Sequence, residues 1–273
     1  MNHIVMFSGG IGSWAAAKRV AVNVKPEDRF VLLFSDVKGN TKDPHIGEDE
    51  DTYRFIEDAA KNIGGELVIL REGRDIWQLF SDQKFLGNSR VANCSKILKQ
   101  RPARKWLQEH CKPEETTIYV GIDWTEMHRL PAIIKNYKPY VAVAPLIEPP
   151  YVDKETWIKL AASEGLKPPR LYSLGFAHNN CGGGCVRAGQ AQFKQLYETM
   201  PERFKVWEEK EQEIIAEIGK PVSILTEMVK GEKRPLPLVE LRRRIDEKNA
   251  LIDELDFGGC GCFFESDDRE ENE

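Results

Sequence analysis

The 273-residue sequence lacks several features, and each absence excludes a class of protein. No apolar stretch approaches the roughly 20 residues that cross a bilayer, which excludes a membrane-spanning helix and a membrane partner. No internal repeat and no low-complexity run is present, which excludes a repeat array. Basic residues are not in excess, because 39 lysines and arginines stand against 44 carboxylates and the formal net charge is −5. This charge argues against a protein coated with nucleic acid and allows only a local basic patch.

No signal peptide precedes the first apolar run, so we expect a cytoplasmic protein. With 41% hydrophobic and 30% charged residues, the chain can bury the core of one large domain, alone or with an appendage. Six cysteines in a reducing compartment are more often metal ligands or redox groups than disulfides. They are Cys94, Cys111, Cys181, Cys185, Cys260 and Cys262. The last four form two glycine-flanked pairs, which predict a metal or redox site.

The sequence does contain a strand, a tight loop and the start of a helix within residues 3–17. The loop reads Ser8-Gly9-Gly10-Ile11-Gly12-Ser13. Its small residues leave backbone N–H groups uncovered, and the positive end of the helix dipole lies behind them, which is typical of a phosphate site. The loop lacks the Gly-Lys-Ser/Thr of a Walker loop and the glycine spacing of a dinucleotide fingerprint. The alternative is a glycine-rich turn without a ligand.

Apolar runs at residues 30–34, 66–70, 117–123 and 140–147 alternate with helical patterns. We therefore predict an α/β fold: a doubly wound, mainly parallel sheet of about five strands with flanking helices, which is a Rossmann-like architecture. In such a sheet the ligand lies beyond the carboxyl ends of the strands. Asp36, which ends the second strand, should face the same crevice as the loop, although an Asp can equally cap a turn there.

The remainder of the chain is charged and has a helical pattern over residues 191–256, which Pro235 and Pro237 interrupt. We predict a domain at 1–190, a helical appendage at 191–264 and a disordered acidic tail at 265–273. The expected role of the appendage is to return Cys260 and Cys262 to the crevice.

The order Ser-Gly-Gly-x-x-Ser after a first strand resembles the PP-loop of the ATP pyrophosphatase superfamily, which has a HUP-type fold. The resemblance implies that Ser8, Gly9, Gly10, Gly12 and Ser13 hold the phosphates of ATP, and that Asp36 contacts the base or ribose. It also implies cleavage of ATP between the α and β phosphates, with Mg²⁺. A Lys-Asp pair often stands where this chain has Ile11 and Gly12, so a phosphate-pairing lysine must come from elsewhere. Lys18 and Lys38 are the nearby candidates.

Two further motifs resemble the phosphoadenosine-phosphosulfate reductase branch of that superfamily. The first is Cys94-x-Lys96-x-x-Lys99-x-x-Pro102, and the second is a strand that runs into Glu126 and Arg129. Together with Gly175 and the first cysteine pair, they extend the resemblance over residues 3–190. The resemblance implies that Lys96 brings a cation to the mouth of the site and that Arg129 reaches the nucleotide or its sulfate. His128 is better explained as a surface residue.

The cysteines allow two metal sites. One is a zinc site made by Cys181, Cys185, Cys260 and Cys262, although zinc knuckles usually have two residues between the members of each pair. The other is an iron–sulfur cluster held by Cys94, Cys181, Cys185 and one cysteine of the last pair. The resemblance favours a [4Fe–4S] cluster, which we assign to Cys94, Cys181, Cys185 and Cys262. The family's second cysteine beside Cys94 is absent, because Asn93 stands there. Cys111 is predicted to be uninvolved.

The resemblance implies an enzyme that adenylates a substrate and then transfers sulfur through its cysteine site. Its partners would be an adenine nucleotide, an acceptor that is either a nucleic acid or a small metabolite, and a sulfur-donor protein; a homodimer is possible. One alternative is a phosphoadenosine-phosphosulfate or adenosine-phosphosulfate reductase, in which Cys260 or Cys262 attacks the sulfur. Another alternative is a nucleotide-binding module whose cysteines hold structural zinc.

Overall fold

The structure, a computed structural model, describes residues 1–88, 92–248 and 252–258. Its centre is a five-stranded parallel sheet in the order β3-β2-β1-β4-β5. The strands are β1 (Asn2–Met6), β2 (Arg29–Asp36), β3 (Glu66–Arg71), β4 (Thr116–Val120) and β5 (Val141–Val143). The strand order reverses at β1, where such sheets bind their ligands. The doubly wound α/β fold predicted from the sequence is confirmed.

Helices cover both faces of the sheet. In chain order they are α1 (Ile11–Ala21), α2 (Glu50–Ile63), α3 (Ile76–Gln83), α4 (Arg101–His110), α5 (Leu130–Tyr137), α6 (Lys154–Ser163), α7 (Arg170–Ser173), α8 (Gln190–Thr199), α9 (Pro201–Ile218) and α10 (Leu238–Asp246). Side chains alternate along β1, so Val5 and Phe7 pack with α1 and α2, whereas Ile4 and Met6 pack with α4 and α5. Among the described residues, no helix has both the length and the apolar character to cross a bilayer.

The later part of the chain contains an antiparallel hairpin that the helical pattern over residues 191–256 did not predict. Its strands are β6 (Leu225–Val229) and β7 (Glu232–Leu236). Lys230 and Gly231 both have positive φ and form the two-residue turn that suits the twist of a hairpin. Proline at positions 235 and 237 prevents a helix from continuing through β7. The helical pattern did correspond to helices on either side of the hairpin, at Pro201–Ile218 and Leu238–Asp246.

The helices after residue 190 share a core with earlier elements. Phe193, Phe204 and Trp207 pack in one cluster with Trp77 and Phe80 of α3. The Trp77 and Trp207 rings meet edge to face, with centroids 5.0 Å apart. The division at residue 190 stays a prediction, and the predicted tail lies outside the described residues, as do Cys260 and Cys262.

Candidate active site

The loop after β1 needs glycine at two positions because other backbone and side chains approach it closely. A Cβ on Gly9, whose φ is +76°, would lie 2.8 Å from a methyl of Thr52 on α2. A Cβ on Gly12 would lie 2.8 Å from the carbonyl oxygen of Gly121, just after β4. The start of α1 therefore packs directly on the backbone that leaves the neighbouring strand.

The first turn of α1 faces a cavity. Gly10 is the N-cap residue and has no side chain to cap the helix, while the Ile11 N–H donates to the Tyr172 hydroxyl at 3.0 Å. Ser13 Oγ donates back to the Gly10 carbonyl at 2.8 Å, which holds the turn in shape. Since Gly10, Gly12 and Ser13 line the cavity, the positive end of the helix dipole is directed toward it.

This nucleotide-sized cavity has a volume of about 400 Å³ and lies at the carboxyl edge of the sheet. Its walls come from the ends of β1, β2 and β4 and from the segment before the first cysteine pair. Its charged lining residues are Lys99, Asp123, Glu126, Arg129 and Lys154. A cavity of this size, in which charged groups converge between apolar walls, suits a small phosphorylated ligand.

Arg129 and Glu126 lie together in the wall of this cavity. Arg129 Nη1 forms an ion pair with Glu126 Oε1, and only 6% of the arginine is exposed. A buried guanidinium keeps its charge and presents donors in a fixed plane, which suits phosphate or sulfate oxygens. The structure places both residues where a ligand could meet them, and their roles stay predictions.

The three lysines that the sequence offered as phosphate partners, Lys18, Lys38 and Lys96, lie outside the lining of the cavity. Lys18 pairs with Glu164 at 2.7 Å, and the Lys38 ammonium lies 5.9 Å from the centre of the Tyr53 ring. Neither of them lines the cavity, and nor does Lys96.

In the described part of the chain, the lysines that line the cavity are Lys99 and Lys154. Lys154 Nζ donates to the Ala177 carbonyl at 2.7 Å. Lys99 lies in the basic segment that the sequence did indicate, three residues after Lys96, whereas Lys154 had no sequence signal.

Asp36 has a supporting role at the end of β2 and does not line the cavity. Its carboxylate accepts hydrogen bonds from the Tyr53 hydroxyl at 2.7 Å and the Lys38 N–H at 3.0 Å, and it pairs with Arg71 at 2.9 Å. Burial raises the pKa of Tyr53, so its hydroxyl remains a donor. The neighbouring Ser35 lines the cavity, and the contact between Asp36 and the nucleotide stays a prediction.

A second, much smaller cavity, of about 20 Å³, is lined by three of the predicted metal ligands: Cys94, Cys181 and Cys185. We call it the cysteine cavity. Burial raises the pKa of Cys94 to about 12, and a hydrogen bond with Cys185 together with burial raises the pKa of Cys181 well above its usual range. As free thiols, these two groups would be protonated and weakly nucleophilic at neutral pH.

The described thiols do not by themselves make a metal site. Within residues 1–88, 92–248 and 252–258, no three histidine, cysteine or carboxylate side chains are arranged to hold a metal ion. The predicted fourth ligand, Cys262, lies outside these residues, as does Cys260. The metal centre and its ligands therefore stay predictions.

The three glycines between Cys181 and Cys185 each lie against a large side chain. A Cβ on Gly182 would lie 2.0 Å from Arg203 Nη1, one on Gly183 would lie 2.8 Å from Phe176, and one on Gly184 would lie 2.6 Å from Trp207. Two of these side chains belong to α9. Helix α9 therefore packs against the loop between Cys181 and Cys185. The sequence did not predict this contact.

The two cavities share a wall. Lys99 lines both, and its ammonium group pairs at 3.0 Å with Glu48, whose side chain is fully buried. Glu48 also accepts a hydrogen bond from the Cys181 backbone N–H. On the other side, the Asn179 amide donates to the Gly9 carbonyl at 2.8 Å. The segment that carries Cys181 is thereby attached to the loop after β1.

Comparisons with known proteins give a distant likeness in fold. No family model matches the chain, and no curated protein matches it. Among solved structures, it is similar to phosphoadenylyl-sulfate (PAPS) reductase from Candida auris in a phosphate complex. The two chains are 14% identical with a TM-score of 0.44, over 67% of this chain and 82% of that one. Similarity at this level does not assign a substrate or a reaction to this chain.

Proposed function

We propose that this chain binds ATP in the cavity at the carboxyl edge of the sheet and cleaves it to AMP and pyrophosphate, transferring AMP to an acceptor. The observation that carries the proposal is that the loop at residues 8–13 and three cationic side chains, Lys99, Arg129 and Lys154, line one cavity of about 400 Å³. The resemblance of the loop to a PP-loop favours ATP over other phosphorylated ligands.

The side chains of the cavity suit displacement at the α-phosphorus. An acceptor oxygen forms the new bond to that phosphorus while the bond to the bridging oxygen breaks and pyrophosphate leaves. The cations stabilise the negative charge that grows on the phosphate oxygens. Asp123 and Glu126 line the same cavity and can accept the proton of the acceptor.

These two carboxylates are also ligands of the kind that Mg²⁺ takes beside substrate phosphates. When bound, the ion would neutralise charge on the departing pyrophosphate. Arg129 would orient the phosphate chain, because its guanidinium lines the cavity and is fixed by the ion pair with Glu126.

The cysteine cavity supports the second half of the proposal, sulfur transfer to the adenylated acceptor. Three thiols that line one cavity are the donors that iron–sulfur clusters and zinc prefer, so Cys94, Cys181, Cys185 and Cys262 would hold the centre. A [4Fe–4S] cluster would supply sulfide or electrons there. In the transfer, sulfur at the oxidation level of sulfide forms a bond to the activated carbon while the carbon–oxygen bond to AMP breaks.

The first part of the proposal, the cleavage of ATP to AMP and pyrophosphate, is tested by identifying the products. Protein purified without oxygen is mixed with ATP labelled at the α-phosphate and with acceptor pools of RNA, DNA and small metabolites. We expect labelled AMP and pyrophosphate, and release of ADP and phosphate would contradict the proposal. Lys154→Gln should slow the reaction, whereas the matched change Lys159→Gln, on the same helix but paired with Glu155 outside the cavity, should not.

The second part of the proposal, sulfur transfer at a cysteine-held metal centre, is tested by metal content and visible absorption. A brown protein with iron that Cys94→Ser loses and Cys111→Ser keeps would support the cluster, because Cys111 lies in the core beside β4, away from the cysteine cavity. A colourless protein with one zinc and no pyrophosphate release would support the nucleotide-binding module instead.

The reductase alternative draws support from one observation, the shared wall at Lys99. It places a thiol-lined cavity next to the nucleotide cavity, where a cysteine could approach a sulfate carried by the nucleotide. Sulfite release from adenylyl sulfate in the presence of dithiothreitol, without cleavage of ATP, would favour this alternative.

A further inference from the structure

We infer that the acceptor at this cavity is a nucleotide of a single-stranded nucleic acid, held by an exposed aromatic pair and a cationic flank at the cavity mouth. The inference rests on the proposed function, because it names the acceptor class of the same site. It also narrows the two acceptor classes that the sequence left open.

The aromatic pair consists of Trp124 and Tyr151. Their ring centroids lie 6.0 Å apart with the planes tilted by 56°, and 45% of the tryptophan and 62% of the tyrosine are exposed. Both rings belong to segments that build the cavity, since Thr125 follows Trp124 directly and Lys154 follows Tyr151 by three residues. Two large aromatic residues exposed beside a cavity are suited to stack on a planar ligand such as a nucleobase.

The cationic flank is formed by α4 and α5 with the residues around them. Residues 94–108 contain five lysines and arginines and no carboxylate, and residues 127–140 contain three and no carboxylate, although the whole chain has a net charge of −5. Several of these side chains are exposed: Arg101, Arg104, Lys105, Lys135 and Lys138. A positively charged face on a protein with a negative net charge indicates that a polyanionic ligand binds at α4 and α5.

A small cavity of about 10 Å³ between α4 and α5 adjoins the large one. Gln100 and Tyr137 line both cavities, and Arg104 lines the small one. A phosphate backbone that runs along α4 would therefore pass the mouth of the large cavity. The carboxylates nearest the aromatic pair in sequence are Asp123, before Trp124, and Glu148 and Asp153, to either side of Tyr151.

The shape of the site favours a single strand. A base within a duplex cannot reach the end of a cavity at a sheet edge without leaving its stack, whereas an unpaired base can stack on Trp124 and enter. The phosphates to either side of that base would meet the cationic flank. The same chemistry is offered by RNA and by DNA, which the experiment must separate.

The experiment measures binding of fluorescein-labelled oligonucleotides of about 12 nucleotides by anisotropy, without ATP, at about 50 to 200 mM salt. Single-stranded RNA, single-stranded DNA of the same sequence and the duplex are compared. We expect a single strand to bind more tightly than the duplex. Trp124→Ala should weaken binding about tenfold, and Trp124→Phe should retain most of it, because a ring still stacks.

The charge test uses two matched double variants. Arg101→Glu with Lys105→Glu should lower the affinity and reduce the slope of log K against log salt by about 1.4, the value for two lost contacts with single-strand phosphates. Lys230→Glu with Lys233→Glu makes the same change of charge on the exposed hairpin of β6 and β7, away from the cavity. In this control, the affinity for the oligonucleotide and the slope of log K against log salt should both equal those of the wild type.

Three results would overturn the inference: no binding of either single strand at low salt, tighter binding of the duplex, or equal losses in the two double variants. ATP binding is measured on the same samples and should be unaffected by Trp124→Ala. Protein that binds ATP but no oligonucleotide refutes the inference alone. Protein that binds no ATP refutes the proposed function.

Discussion

The cavity at the carboxyl edge of the sheet and the cysteine cavity share Lys99 in their walls but are built in different ways. The first is large, with converging charged groups, and lies where the parallel strands β1, β2 and β4 end. The second is small and thiol-lined, and lies beside a loop in which two of three glycines pack against α9. The ends of the strands provide much of the first, whereas the loop beside the second packs against a helix that is distant in sequence. The first should therefore tolerate changes in the later helices that the second does not.

Replacing Arg129 tests the first cavity alone and should have the largest effect. Arg129→Gln removes a buried positive charge from the wall, so ATP cleavage should fall by about 100-fold or more. Metal content should not change. Arg234→Gln, which changes the same residue type on the exposed hairpin, is the control. Equal activity in the two variants would remove Arg129 from the site.

Replacing Glu48 should affect both cavities, because this carboxylate holds Lys99 and the Cys181 N–H. Glu48→Gln removes the buried carboxylate that pairs with the mostly buried Lys99 ammonium, and the free energy of unfolding should fall by about 3 kcal/mol. ATP affinity and metal content should both decline. A change in only one of them would show that the shared wall does not couple the two sites.

Replacing Gly182 tests the second cavity alone. A Cβ at this position would collide with the buried Arg203 guanidinium, and φ of +59° disfavours alanine, so Gly182→Ala should cost about 2 kcal/mol of unfolding free energy. Metal content should fall while ATP affinity holds. Loss of ATP affinity as well, in protein that remains folded, would contradict the independence of the first cavity.

Glu211 on α9 gives an effect of another kind, a dependence of stability on pH that leaves both cavities unchanged. Its buried carboxylate accepts the backbone N–H groups of Ile224 and Leu238, at 2.9 and 2.6 Å, and burial raises its pKa to about 7. The folded state therefore holds this proton more tightly than the unfolded state does. Stability from this group is full below the unfolded pKa of about 4.3 and is lost as pH rises toward 7, by at most about 1.4 kcal/mol per pH unit.

Urea unfolding at pH 5 and pH 7 measures this dependence, and Glu211→Gln is the comparison. In the variant, the free energy of unfolding should change less between pH 5 and pH 7 than it does in the wild type, because the titrating carboxylate is gone. An identical dependence in wild type and variant would show that the carboxylate titrates normally in the folded protein. ATP binding should remain unchanged in the variant, since α9 does not line the nucleotide cavity.

The parts of the molecule that the sequence predicted are those set by local pattern. Alternating apolar strands and helices fix a doubly wound sheet, and the loop at residues 8–13 with Glu126 and Arg129 then falls at its carboxyl edge. The same topology placed Asp36 near the crevice, but strand order does not say which way a side chain turns. In the structure the Asp36 carboxylate contacts Tyr53 and Arg71, which are distant from it in sequence.

The parts that the sequence did not predict depend on long-range packing. Lys154 lies about 140 residues after the loop whose cavity it lines, with no motif around it. Arg203 and Trp207 read as ordinary positions of a charged helix, and only the fold shows that they press on Gly182 and Gly184. The hairpin at β6 and β7 was missed because its charged, half-exposed strands lack a clear alternation.

The most direct test of the account is equilibrium binding of ATP with Mg²⁺ to the wild type and to Gly12→Ala. The account predicts saturable binding by the wild type, and a loss of about tenfold or more in the variant, because a Cβ at Gly12 must displace the start of α1 from the backbone of Gly121. Gly219→Ala, where no atom lies within 4 Å, should bind as the wild type does. No binding by the wild type at millimolar ATP, or equal binding by Gly12→Ala, would contradict it.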